Sequence, residues 1–147
     1  RIEYNGAIKE AMSFENIDYM EVAECDNWYD SRLYELFSSR FMFVVFKEQH
    51  ANKEDYTLDN VFFWTMPQED LDFAEEYWNH IRENVLEGHI SEKYWWKQRD
   101  NKKFHVRPKG QRATDLVPAP NGRMVKKFCY WFNNKYVRKI VDNNVTK

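Results

Sequence analysis

Apolar residues recur along this chain at two different steps, and the switching between them predicts an α/β protein. Continuous apolar and β-branched runs predict strands at residues 40–47 and 58–66, the first of them buried and central in a sheet. Leu71, Ala74, Trp78, Ile81 and Val85 fall three or four residues apart. That spacing predicts a helix from Pro67 to near Gly88, with Glu69, Asp70 and Asp72 in its first turn. Leu33, Leu36 and Phe37 form a shorter stripe behind Ser31, and Ile17 and Met20 another behind Ser13 and Asn16, predicting one helix from Ser31 and one from Ser13 through about Glu24. Near the end, residues 126–132 predict a strand and 133–141 a helix that buries Tyr136, Val137, Ile140 and Val141. Asn5-Gly6 predicts a tight hairpin, residues 50–56 a polar loop, and residues 110–122, with Pro118, Pro120 and Asn121-Gly122, a loop too broken for a regular element.

Residues 103–109 carry the most specific pattern. In a strand, Phe104 and Val106 point to one face, while Lys103, His105, Arg107 and Lys109 form a row of cations on the other. Pro108 has no backbone donor, so this strand ends at a sheet edge and delivers Arg107 and Lys109 to its rim. An anionic ligand fits such a rim, and a solvated basic face is the plainer reading.

Length and composition narrow the class. A chain of 147 residues predicts one domain, residues 1–147, and 18% aromatic content with only four glycines predicts a dense core rather than disorder. Cys25 and Cys129 make neither a disulfide framework nor a zinc site and read as incidental thiols. The longest apolar run, residues 41–46, is far too short for a bilayer and no leader opens the sequence, so a soluble intracellular protein is expected, with no membrane partner. The opening on Arg1 rather than Met is expected of a piece of a longer polypeptide.

Charge changes the picture further. The net charge is −2, yet residues 97–147 hold fourteen Lys and Arg against three acids, while residues 1–96 hold eight against twenty-one. A basic half beside an acidic half points to a polyanion bound through one surface. Arg107, Lys109, Arg112, Arg123, Lys126, Lys127 and Lys135 are placed to neutralise phosphates, with Trp131 and Asn133 interleaved among them. Trp131 packs on a base in that reading and in the core in the other. Tyr94, Trp95 and Trp96 read first as core aromatics and second as a base-stacking platform. No phosphate loop, nucleophile triad or metal-spaced Cys/His cluster is present, and His80 and His89 lack a third ligand at a matching step. Asp100-Asn101-Lys102 has the acid-x-lysine spacing of a magnesium-dependent nuclease, a tripeptide that is also common by chance. A third reading makes the acidic half, including Glu69, Glu75, Glu76 and Glu83, a docking face for a basic partner domain.

Phe104-His105-Val106-Arg107-Pro108-Lys109, a loop, and Lys126-Lys127-Phe128-Cys129-Tyr130-Trp131-Phe132-Asn133 running into the last helix resemble the MutH and Sau-type (Sau-three-A-I) GATC endonucleases. Upstream, the segments 8–14, Trp28-Tyr29-Asp30-Ser31, 41–47 and Phe63-Trp64-Thr65-Met66-Pro67 resemble the second domain of that family. The resemblance spans nearly the whole chain. It implies a restriction-endonuclease-like fold, with a mixed central sheet flanked by helices, that binds GATC in double-stranded DNA, with Arg107 and Lys109 touching DNA. Trp131 stands where MutH has a tyrosine that senses adenine methylation. The family's Glu-Leu-Lys catalytic triplet is absent here. The chain therefore resembles the catalytically silent, regulatory domain at the carboxy terminus of a Sau-type enzyme. That resemblance implies no cofactor of its own, Mg2+ for the parent endonuclease, an amino-terminal catalytic domain as partner, and the bacterial cytoplasm. The alternative is a catalytic magnesium-dependent endonuclease domain of the same family.

Overall fold

The computed structural model describes residues 1–109, 112 and 114–145. Its elements run β1 (Met12–Asn16), α1 (Tyr19–Glu24), a 3-10 turn (Trp28–Asp30), α2 (Arg32–Phe37), β2 (Arg40–Glu48), β3 (Tyr56–Thr65) and α3 (Gln68–Glu87). There follow β4 (Phe104–Pro108), β5 (Leu116–Pro118), β6 (Met124–Lys126), β7 (Phe128–Phe132) and α4 (Asn134–Asn144). The mixed α/β class is as expected, but the strands are not gathered into one central mixed sheet. Among the described residues they form three antiparallel sheets, ordered β1-β7-β4, β2-β3 and β5-β6.

Local signals placed the helices well. Ser31 caps α2, its hydroxyl accepting from the Tyr34 amide at 3.1 Å. Helix α3 has Glu69 and Asp70 in its first turn and stops at Gly88, whose φ of 77° is one a side chain resists. Helix α4 buries Tyr136, Val137, Ile140 and Val141 as predicted. The cap expected at Ser13 is instead Asp18, whose carboxylate accepts from the Met20 and Glu21 amides, both at 3.1 Å. Residues 12–16 are a strand because Met12 and Phe14 alternate with polar positions, and β7 supplies their partner.

Four further expectations change. Strand β2 is one arm of a hairpin rather than a buried central strand: Phe43 and Val45 are buried, while Met42, Val44 and Phe46 on its other face are exposed. Asn5-Gly6 does turn, with the Gly6 amide donating to the Glu3 carbonyl and the Glu3 amide to the Ala7 carbonyl, both at 2.8 Å, but its flanks form no strand ladder with each other, and Ile2 bridges to Lys47 instead. Within the presumed loop, β5 pairs with β6 around a tip at Gly122, whose φ is 84°; Gly110, Gln111 and Ala113 of that loop lie outside the described residues. The strand expected at 126–132 is interrupted at Lys127. There the Tyr19 hydroxyl inserts, donating to the Lys126 carbonyl at 2.7 Å and accepting from the Phe128 amide at 3.1 Å.

The core is aromatic. Phe132, on β7, has ring centroids of Phe14, Phe37, Phe41, Trp64, Phe104 and Tyr136 between 4.6 and 6.1 Å away. One side chain therefore joins the three-stranded sheet to the β2-β3 hairpin and to two helices. Trp95 and Trp96 belong to this interior, Trp95 against Phe128 and Trp96 stacked on Phe73 and His80. The core reading of these two aromatics holds.

Candidate nucleic-acid interface

Strand β4 lies at one edge of its sheet, paired with β7 from Phe104↔Phe132 to Pro108↔Phe128. Phe104 and Val106 enter the core as the alternation predicted. His105 and Arg107 take the other face, opposite Trp131 and Cys129. Lys103 leaves the expected row of cations: its ammonium reaches Asp70 at 2.5 Å, and the Tyr136 hydroxyl donates to the second oxygen of that buried carboxylate at 2.7 Å. A buried carboxylate requires such partners, and Lys103 is the cation within reach.

Arg107 is the best-held cation of the set. Its guanidinium carbon stands 4.3 Å from the centre of the Trp131 ring. Nε donates to His105 Nε2 at 2.7 Å, and Nη2 donates to Gln98 Oε1 at 2.7 Å. Five N–H groups radiate from a guanidinium; among the described residues Nε and Nη2 are engaged in this way, and Nη1 makes no hydrogen bond. Partial burial lowers the Arg107 pKa from its ordinary value.

The tautomer of His105 follows from these bonds. Nε2 accepts from Arg107, so Nδ1 carries the proton and donates to Asn133 Oδ1 at 2.5 Å. Asn133 Nδ2 in turn donates to the Asn101 carbonyl at 2.6 Å and the Gln98 carbonyl at 3.2 Å. Asn101 fixes its own turn, its Oδ1 accepting from the Lys103 and Phe104 amides at 2.7 and 2.8 Å. Gln98 is anchored from the other side, Nε2 donating to Asn134 Oδ1 at 2.9 Å. The orientation of Arg107 is thus set by a continuous chain of hydrogen bonds through the 97–101 turn and the start of α4.

Two residues expected at the DNA surface therefore sit elsewhere. His105 is 1% exposed and Asn133 0%, so they position Arg107 rather than meet a ligand. The alternation gave the face of His105 correctly but not that a turn covers it. Trp131 is half-buried beneath Arg107. Lys109 is exposed next along the strand, its amide donating to the Lys127 carbonyl at 3.1 Å, which extends the ladder and keeps both lysines beside Arg107. Lys135 is exposed in the first turn of α4. Arg112 and Arg123 are exposed near the β5-β6 hairpin, and Lys126 turns aside to Glu92 at 3.3 Å. Gln98 and Asn101 escaped the sequence reading, although a polar Gln-Arg-Asp-Asn run ahead of a strand is a turn signal.

No protein-family model and no curated protein matches the chain. Among the described residues no three His, Cys, Asp or Glu side chains converge, and the Asp100 carboxylate accepts the Lys97 amide at 2.7 Å. Among the described residues, no helix is long and apolar enough to cross a membrane.

Burial, with Arg107 as a lesser cause and Asn133 opposing, holds the His105 pKa below its ordinary value. A histidine depressed in the folded state contributes stability that is full above its unfolded pKa of about 6.5 and is lost as pH falls through and below that value. Thermal melts across pH 5 to pH 8 are expected to show wild type losing stability below about pH 6.5 more steeply than His105→Gln. Parallel curves would contradict the buried neutral imidazole.

Proposed function

We propose that this chain binds double-stranded DNA at GATC as the regulatory domain of a Sau-type restriction endonuclease. The observation that carries the reading is Arg107: a guanidinium held by Trp131, His105 and Gln98 at the end of an edge strand, with Lys109 and Lys127 alongside. A guanidinium held in place by its neighbours is suited to the O6 and N7 acceptors of guanine, and the lysines to phosphates. In this reading Arg107 reads a base, Lys109, Lys127 and Lys135 neutralise backbone, and Arg112 and Arg123 extend the basic surface. Cleavage, with its Mg2+, belongs to an amino-terminal catalytic domain of the same polypeptide. The acidic residues of α3 offer that domain a surface of opposite charge to the DNA face.

Substitution separates the two kinds of contact. Arg107→Ala is expected to cost about 1–3 kcal/mol on a GATC duplex and to erase most of the preference over a scrambled one. Lys127→Ala weakens both duplexes alike and reduces the salt dependence by about one ion. Equal losses on the two duplexes for Arg107→Ala would remove the base-reading role.

A further inference from the structure

The β2-β3 hairpin presents its inner face to the core and leaves its outer face bare. Met42 pairs across the strands with Phe63, Val44 with Val61 and Phe46 with Leu58, and these six side chains are 39–61% exposed. A contiguous apolar patch of this size is often a functional surface. The amino-terminal turn closes one end of the face, where the Tyr56 hydroxyl donates to Glu3 at 3.1 Å. Arg40 closes the other, its guanidinium carbon 4.3 Å from the centre of the Phe63 ring. Asp59 is exposed at the bulge beside Leu58, far along the hairpin from Arg40.

We propose that this face is a self-association surface that docks on the same face of a second copy of the chain, the two hairpins related by a twofold axis and running antiparallel. Size and charge both favour this occupant. At about 180 Å² for a fully exposed large apolar side chain, the six leave roughly 550 Å² of apolar surface per copy. Two copies then bury about 1,100 Å², just above the roughly 1,000 Å² that a specific interface needs, so the dimer is a weak one. A twofold through the Val44–Val61 pair with the hairpins antiparallel brings Arg40 of each copy over the half of the other face that carries Asp59, whereas parallel stacking sets Arg40 against Arg40. The inference does not rest on the DNA reading, because no residue of the Arg107 cluster lies on the hairpin.

Sedimentation velocity from about 1 µM to about 1 mM is expected to show the intact chain passing from monomer to dimer. Val61→Asp, at the centre of the face, is expected to hold it monomeric with an unchanged circular dichroism spectrum, since Val61 is 47% exposed. Arg40→Asp and Asp59→Arg each weaken the dimer, and the two combined in one chain restore it. A monomer at every concentration, a dimer indifferent to Val61→Asp, or a charge swap that fails to restore association would each overturn the proposal.

Discussion

Phe132→Ala is expected to lower the stability of the chain by about 4 kcal/mol, read as a reduced urea midpoint and a melting temperature roughly 12 °C lower. The side chain is fully buried, and its six aromatic neighbours come from β1, α2, β2, β3, β4 and α4. These rings are held from both sheets and two helices and cannot all move inward, so the space left stays largely empty. Phe132→Leu, which keeps most of the volume, is expected to cost about 1 kcal/mol. A loss below about 1 kcal/mol for the alanine variant would show that the hairpin and the three-stranded sheet do not share a core.

The second large effect belongs to Asn133. Its replacement by alanine leaves the His105 Nδ1 proton and the Asn101 and Gln98 carbonyls without the partners they have now, at a cost of about 3 kcal/mol. Asn133→Asp is not expected to rescue, because a carboxylate accepts from His105 but has no donor for the two carbonyls. The positioning role gives a separate signature. At a temperature where the variant is fully folded, its preference for GATC over a scrambled duplex should fall as far as that of Arg107→Ala, although Arg107 itself is intact. Full preference in folded Asn133→Ala would mean that the hydrogen-bond chain through His105 does not orient Arg107.

The sequence was most legible where structure is decided locally. Helices α3 and α4 follow from apolar steps of three and four residues, and Ser31 and Gly88 mark ends that need no distant partner. Strand β1 was misread because Ser13 and Asn16 resemble caps, while the strand that pairs with it, β7, lies more than a hundred residues away. The apolar run in β2 implied burial on both faces, but burial depends on what covers a strand, and its outer face is bare. The same limit applied at the site. Alternation put Arg107 and Lys109 on the face of the strand turned away from the core, whereas the burial of His105 depends on Gln98 and Asn101 folding over it from a turn. Lys103 left the basic face because Asp70, buried on α3, draws it away.

Fluorescence anisotropy of a labelled GATC duplex against a scrambled one, without metal and at two salt concentrations, tests the central claim most directly. Sequence reading by Arg107 predicts tighter binding to GATC at both concentrations, with both affinities falling as salt rises. Equal affinity for the two duplexes, or no binding to either, would contradict it.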